Sequence, residues 1–174
     1  MCPGRPHRQL TRTPLSPRRR QGSRRTLVPM DHAAFVAETH RLGPYIYLAT
    51  SSAAGAPHVV PIHADWHDGH IYAMVGLHDV KVRNLRANPA VCLHWQVSES
   101  TGWDSLLAWG TAAVLATTQD KRRLWSGVLS YDLDAFSTGG PDGSPDTGFL
   151  EVTVERAVLL RRFGYDGRDE WRPA

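Results

Sequence analysis

The sequence predicts a mainly β domain, an antiparallel barrel of six strands with a few short helices inserted. Six apolar runs of strand length are separated mostly by turn residues. The helical stretches among them are short, with recognisable caps and stops. No glycine-rich dinucleotide fingerprint and no GxxxxGK[ST] loop is present, so a Rossmann or P-loop βαβ stack is not expected.

The elements follow in order. Asp31 to Arg41 reads as a helix, N-capped by Asp31 and ended by Gly43-Pro44. Tyr45–Thr50 and His58–Ala64 are two strands of a hairpin around Ala54-Gly55. Pro61 cannot donate to a ladder, which puts its strand at an edge or a bulge. The Asp68-Gly69 turn leads into a third strand, His70–Val75. His78–Ala87 switches to a helix, with Asp79 able to cap and Asn88-Pro89 stopping it.

Val91–Gln96 alternates, with Val91, Leu93 and Trp95 on one face and Cys92 and His94 on the other. A longer strand, Leu106–Ala116, follows a polar loop. Thr117 with Asp120 opens another helix, whose i,i+4 pairs are Leu124/Val128 and Trp125/Leu129, and Tyr131–Phe136 adds a turn. Ser137–Gly148, with four glycines and two prolines, is a surface loop. Phe149–Leu160 is the sixth strand, alternating Leu150, Val152 and Val154 against Glu151, Thr153 and Glu155.

The chain of 174 residues corresponds to one domain, taken as residues 30–163, with a tail at 164–174. The net charge of +3 conceals two regions. Residues 1–29 hold eight arginines, five prolines and no acid, leaving twelve basic against seventeen acidic residues in the remainder. That leader lacks a core-forming pattern and is expected to be disordered. It reads as sequence upstream of a natural start at Met30, against the alternatives of a tail, a transit peptide or a basic arm on nucleic acid. Neither a secretory signal nor an apolar run of ~18 residues is visible. With only Cys2 and Cys92, far apart, a disulfide scaffold is not expected, and a cytoplasmic protein is. Nucleic acid and membranes are not expected partners.

The densest chemical signal is Lys81-Val82-Arg83-Asn84-Leu85-Arg86-Ala87-Asn88-Pro89. Lys81, one of two lysines in the chain, lies in the first turn of a helix, where open N–H groups and the dipole favour a phosphate. His63, His67 and His70 with Asp65 and Asp68 do not make a metal site, because His67 and Asp68 fall in a turn and only His63 and Asp65 share a face. No Gly-x-Ser-x-Gly elbow points to a hydrolase. Cys92 reads as an inert buried thiol, and the tryptophans as core or interface aromatics.

Leu48-Ala49-Thr50, Gly55-Ala56-Pro57-His58-Val59-Val60-Pro61, Gly69-His70-Ile71-Tyr72, the Lys81–Pro89 segment and Trp109-Gly110-Thr111-Ala112 occur in that order. Together these motifs resemble the pyridoxamine 5'-phosphate oxidase-like superfamily of FMN-binding split barrels, over residues 31–160. The segment Leu133-Asp134-Ala135-Phe136 and Phe149-Leu150-Glu151-Val152 are most similar to its general-stress branch; another branch uses the deazaflavin coenzyme F-420. The resemblance implies a six-stranded antiparallel split β-barrel, a homodimer sharing its sites, and an FMN or coenzyme F-420 cofactor that exchanges hydride with a small substrate. His58, Val59, Val60, Pro61, Ile62 and His63 would lie along the ring and ribityl chain, and Met74 beside them. Lys81 would grip the phosphate, Ser105 would approach from the partner subunit, and Trp109 would be the tryptophan to stack on the ring. No acid or base side chain is implied as catalytic. The chain has His58 and His63 where the oxidases carry an Arg and Lys pair, which argues against a vitamin B6 5'-phosphate substrate.

Overall fold

Residues 27–174 are described by the computed structural model, so most of the predicted basic leader, 1–26, lies outside the described residues. Its last residues are ordered: β1 (Val28–Pro29) is a two-residue strand. Helix α1 (His32–Leu42) starts where Asp31 Oδ1 accepts the Ala34 N–H at 2.7 Å and stops at Gly43, whose φ of 86° suits glycine. Its buried face is Phe35, Thr39 and Leu42, spaced at i, i+4 and i+7.

Strands β2 (Tyr45–Ser51) and β3 (Pro57–His63) form the predicted hairpin, with Tyr47 opposite Pro61 and Thr50 opposite His58. A short strand, β4 (Asp65–His67), turns through Asp68 and Gly69, both at positive φ, into β5 (His70–Gly76). Helix α2 (Val80–Ala87) leads to β6 (Ala90–Trp95), and β7 (Ser105–Leu115) follows. Helix α3 (Thr118–Leu124) is capped by Thr117 Oγ1, which accepts the Asp120 N–H at 3.1 Å. The Gly/Pro loop holds one short helix, α4 (Gly140–Gly143), before the fifteen-residue β8 (Thr147–Arg161) and a last strand, β9 (Gly167–Trp171).

Nine strands among the described residues therefore replace the six predicted. The order is β1-β9-β8-β7-β6-β2-β3, with β5 also on β8 and β4 on β5. β8 is the spine. Along one edge it pairs with β7, and along the other it pairs first with β5 (Val152↔Ile71) and then with β9 (Ala157↔Trp171). The chain after residue 163 is held against the domain: Trp171 is buried and stacks on Phe35 at 4.8 Å.

The barrel is split, as the family resemblance implied, and the sheet does not close. β3 pairs with β2 alone and β4 with β5 alone, so a seam remains between these edges. Pro57 and Pro61 lack the N–H groups that a further partner of β3 would need, which accounts for its edge position.

The inner face of the sheet holds the main core, including Phe35, Ile46, Leu48, Leu93, Leu106 and Leu159. A second cluster of Tyr72, Leu124, Trp125, Val128, Leu129, Leu133 and Phe149 fills the space between β5/β8 and α3. β7 and β8 meet across a bulge beside Gly110, where an added Cβ would lie 1.9 Å from the Thr153 carbonyl oxygen. Only glycine fits there.

Candidate functional site

The first part of the site is the start of α2. Two asparagines one turn apart, Asn84 and Asn88, fix this helix to the end of β2. Asn84 Nδ2 donates to Thr50 Oγ1 at 3.1 Å and Asn88 Nδ2 to Ser51 Oγ at 2.8 Å. Asn84 is buried, so that bond also satisfies an amide that would otherwise be costly to desolvate. His58 lies opposite Thr50 on β3, and its Nδ1 is buried without a hydrogen-bond partner among the described residues. Buried orphan nitrogens are rare.

Lys81 stands in the first turn of α2, as predicted, and most of its side chain is covered. Its ammonium is not free: Nζ donates to Asp79 Oδ2. Asp79 is the N-cap residue by position, yet its side chain makes no capping bond to the helix. The same Oδ2 instead accepts the Gly76 N–H at 3.2 Å. No side chain caps the first-turn N–H groups of α2, the groups an anion at this end would use. From the sequence Asp79 reads only as a cap; its pairing with Lys81, two residues on, is found in the fold.

The second part is the outer face of β3-β2-β6-β7. Strand alternation puts Val59, Pro61 and His63 on this face, and His58, Val60 and Ile62 on the other. Val59, Ala49, Cys92 and Trp109 make one row across four strands, through the pairs Val59↔Ala49, Ala49↔Cys92 and Cys92↔Trp109. Tyr45, Tyr47 and Val59 are exposed here, at 63%, 41% and 58%, a concentration of apolar surface unusual for a sheet face left to solvent. The Arg156 guanidinium lies over the Trp109 ring at 5.0 Å and donates to Glu170 Oε1 at 2.7 Å. Arg156 carried no signal in the sequence.

Ser105 is buried on this outer face, with Oγ 2.9 Å from His94 Nε2. Burial holds the His94 pKa below the ordinary histidine range and pushes the Cys92 thiol up, so the imidazole is neutral and the thiol inert at pH 7. His63 Nε2 lies 3.0 Å from Asp65 Oδ2 and 2.9 Å from Ser130 Oγ. Both contacts use one ring nitrogen, unlike a nucleophilic triad, in which base and orienting acid take opposite nitrogens. The Tyr131 ring packs on His63 at 4.4 Å, so this cluster ties the segment after α3 to the end of β3. Met74 does not join the open face; it packs with the second cluster, beneath α3.

The structure thus puts His58 opposite Thr50, to which Asn84 of α2 is bonded, and Val59, Pro61, Ser105 and Trp109 on one sheet face. Val60, Ile62 and Met74 point elsewhere. Among the described residues, no three His, Cys, Asp or Glu side chains converge as a metal site, and no helix is long and apolar enough to cross a membrane.

Comparison with known proteins identifies the fold. A protein from Clostridium acetobutylicum related to general stress protein 26, of the pyridoxinephosphate oxidase family, superposes with a TM-score of 0.64 at 20% identity, over 82% of this chain and 96% of that one. A pyridoxamine 5'-phosphate oxidase-related, FMN-binding protein from Nostoc punctiforme gives 0.57 at 13% identity, over 80% and 87%. An F420 reductase gives 0.50 at 20% identity, over 67% and 91%. At these identities the likeness establishes the shared split-barrel fold. Among curated proteins, none matches the sequence significantly. The sequence model of pyridoxamine 5'-phosphate oxidase does match, over residues 33–161 and so over most of the chain, and the chain belongs to that family.

Proposed function

We propose that the protein is a cytoplasmic homodimer that binds FMN, or the deazaflavin coenzyme F-420, and passes hydride between that cofactor and a small substrate. The observation that carries this reading is the start of α2, where the first-turn N–H groups have no capping side chain and the Lys81 ammonium stands beside them. Those donors fit a phosphate, with the Asp79 carboxylate as the one group that competes for them. The FMN-binding and F420-reductase neighbours support a flavin-type cofactor.

When bound, the ring would supply the hydride donor or acceptor. The chain's own residues would anchor and orient it. Lys81 and α2 would hold the phosphate end. β3 has a partner on one side only; Val60 and Ile62 face Leu48 and Ile46 in its ladder with β2, so the backbone groups left to meet the ring are those of Val59 and the Pro61 carbonyl. The exposed face of Tyr45, Tyr47 and Val59 supports a two-fold partner that would cover it and exclude water. No side chain is assigned a proton-transfer role.

A second reading is a general-stress protein that holds FMN without turning over a substrate, which the Clostridium neighbour supports. Absorbance of the purified protein tests the cofactor. Two bands, in the near ultraviolet and the blue, are expected for FMN, and a single band between them for the deazaflavin. A colourless protein that ignores both added compounds would sink both readings. Bleaching of the flavin bands by a nicotinamide or substrate donor would separate an enzyme from a carrier.

A further inference from the structure

We infer that the Pro14–Arg20 stretch of the leader docks back on its own chain, in an aromatic hollow beside the end of β8. Three large rings stand exposed there: Trp103, from the β6–β7 connection, and Phe163 and Tyr165, from the turn after β8. With Arg162 they line an open hollow of about 460 Å³. The Trp103 and Phe163 rings pack on each other at 6.0 Å and 29°. Their backbone is strained as well. Trp103, Arg162 and Phe163 have φ of 61°, 44° and 54°, three of the four positive values at non-glycine positions among the described residues. Fixed partners hold this conformation. The Phe163 N–H donates to the Trp103 carbonyl at 3.0 Å, and the Arg162 N–H to Asp104 Oδ1 at 2.9 Å. Asp104 is itself bonded by Arg41 and Arg161. Strain that keeps apolar rings in water is unfavourable twice over, and a partner that covers the rings offsets both costs.

Motif, position and charge make the leader that partner. Pro14-Leu15-Ser16-Pro17 sets two prolines three residues apart, the period of a polyproline II helix, and such PxxP segments dock in grooves lined by aromatic rings. β1 runs parallel to β9, so towards the N-terminus the chain leaves β1 beside the start of β9 at Gly167, two residues after Tyr165. Val28, Asp169, Leu159 and Leu106 form one row across four strands, about 14 Å long, and Trp103 is three residues from its end. Fully extended, the chain from Pro17 to Leu27 reaches about 35 Å, enough to return to the hollow. The leader's eight arginines are opposite in sign to the remainder, with its seventeen acidic against twelve basic residues. Asp166, next to Tyr165, holds Arg162 only through a surface pair at 3.0 Å, which Arg18, Arg19 or Arg20 can replace. The tether raises the effective concentration of the stretch to about the millimolar range, so even a weak contact is populated.

The test combines two measurements on the full chain. The first is the initial rate of trypsin cleavage after Arg18, read by mass spectrometry in wild type, Phe163→Gly and Pro14→Ala/Pro17→Ala. Phe163→Gly removes a ring while suiting the positive φ, and the proline variant leaves the domain untouched. Melting curves verify that each is folded, and if Phe163→Gly is not, the proline variant decides. An effective concentration of about 1 mM against a Kd of about 0.1 mM leaves roughly one stretch in ten undocked, so wild type is expected to be cut about tenfold more slowly than either variant. The second measurement places a benzophenone amino acid at Leu15. Irradiation is expected to join it, within one chain, to Trp103 or to the Phe163–Tyr165 segment. Equal cleavage rates in all folded proteins overturn the inference, as does a crosslink to any other segment or none. Crosslinked dimers, or protection that grows with protein concentration, put the leader on a second copy and overturn docking on its own chain.

Discussion

Replacing Lys81 by alanine removes the one ammonium at the start of α2, and the structure sets the size of the expected loss. Only 15% of the Lys81 side chain is exposed, so its contact with an anion would be only partly screened by water. A charge-assisted hydrogen bond to a phosphate contributes about 1.5–3 kcal/mol, equivalent to ~10- to 150-fold in affinity. The substitution also strips Asp79 of its counter-charge and leaves a bare carboxylate facing the phosphate, which pushes the loss toward the upper end. The fold should hold, because a carboxylate at a helix N-terminus is itself favourable and Asn84 and Asn88 still tie α2 to β2. The double variant Lys81→Ala/Asp79→Asn should therefore recover part of the affinity, as a cycle of contacting charges requires. Fluorescence titration of FMN into all four proteins measures both effects. An FMN affinity unchanged by Lys81→Ala would remove Lys81 as the anchor, and effects of the two substitutions that simply add would remove the coupling.

Three further outcomes follow from the geometry. Burial alone would raise the Asp104 pKa, but bonds from the Arg162 N–H, Arg161 and Arg41 hold it below the usual carboxylate range. Its contribution, about 2 kcal/mol, is therefore full above the unfolded carboxylate value and lost as pH falls through the depressed one, so wild type and Asp104→Asn should differ in stability at pH 7 and converge below about pH 4; a difference that persists at low pH in urea unfolding would contradict this. Trp171→Ala empties a buried site against Phe35 and should cost about 3–5 kcal/mol, seen as a fall in Tm on the order of 10 °C, whereas a loose C-terminal tail would give almost none. Val59→Asp places a charge in the middle of the exposed outer face and should shift sedimentation from dimer to monomer, and an unchanged profile would move the interface elsewhere.

Much of this architecture is legible in the chain itself, because periodicity and capping act over a few residues. Leu150, Val152 and Val154 of β8 are buried while Thr153 and Glu155 face outward, and Asp31 and Thr117 cap the helices that follow them. The edge position of β3 follows from Pro61, whose missing N–H is a local fact. The tertiary structure decided what depends on partners distant in sequence or on side-chain direction. β9 reads Gly-Arg-Asp-Glu-Trp, with no apolar alternation, and becomes a strand only because β8 offers it an edge and Phe35 a stacking surface. Pro61 marks one edge of the open sheet, but that β4 pairs with β5 alone and leaves the other edge unpaired is set by the tertiary arrangement. At the site, residue types around Lys81 suggested the phosphate-binding role proposed for it, but the turn of Asp79 away from its helix and onto that lysine is a choice among competing donors. Only the folded backbone, with Gly76 leaving room beside it, settles that choice.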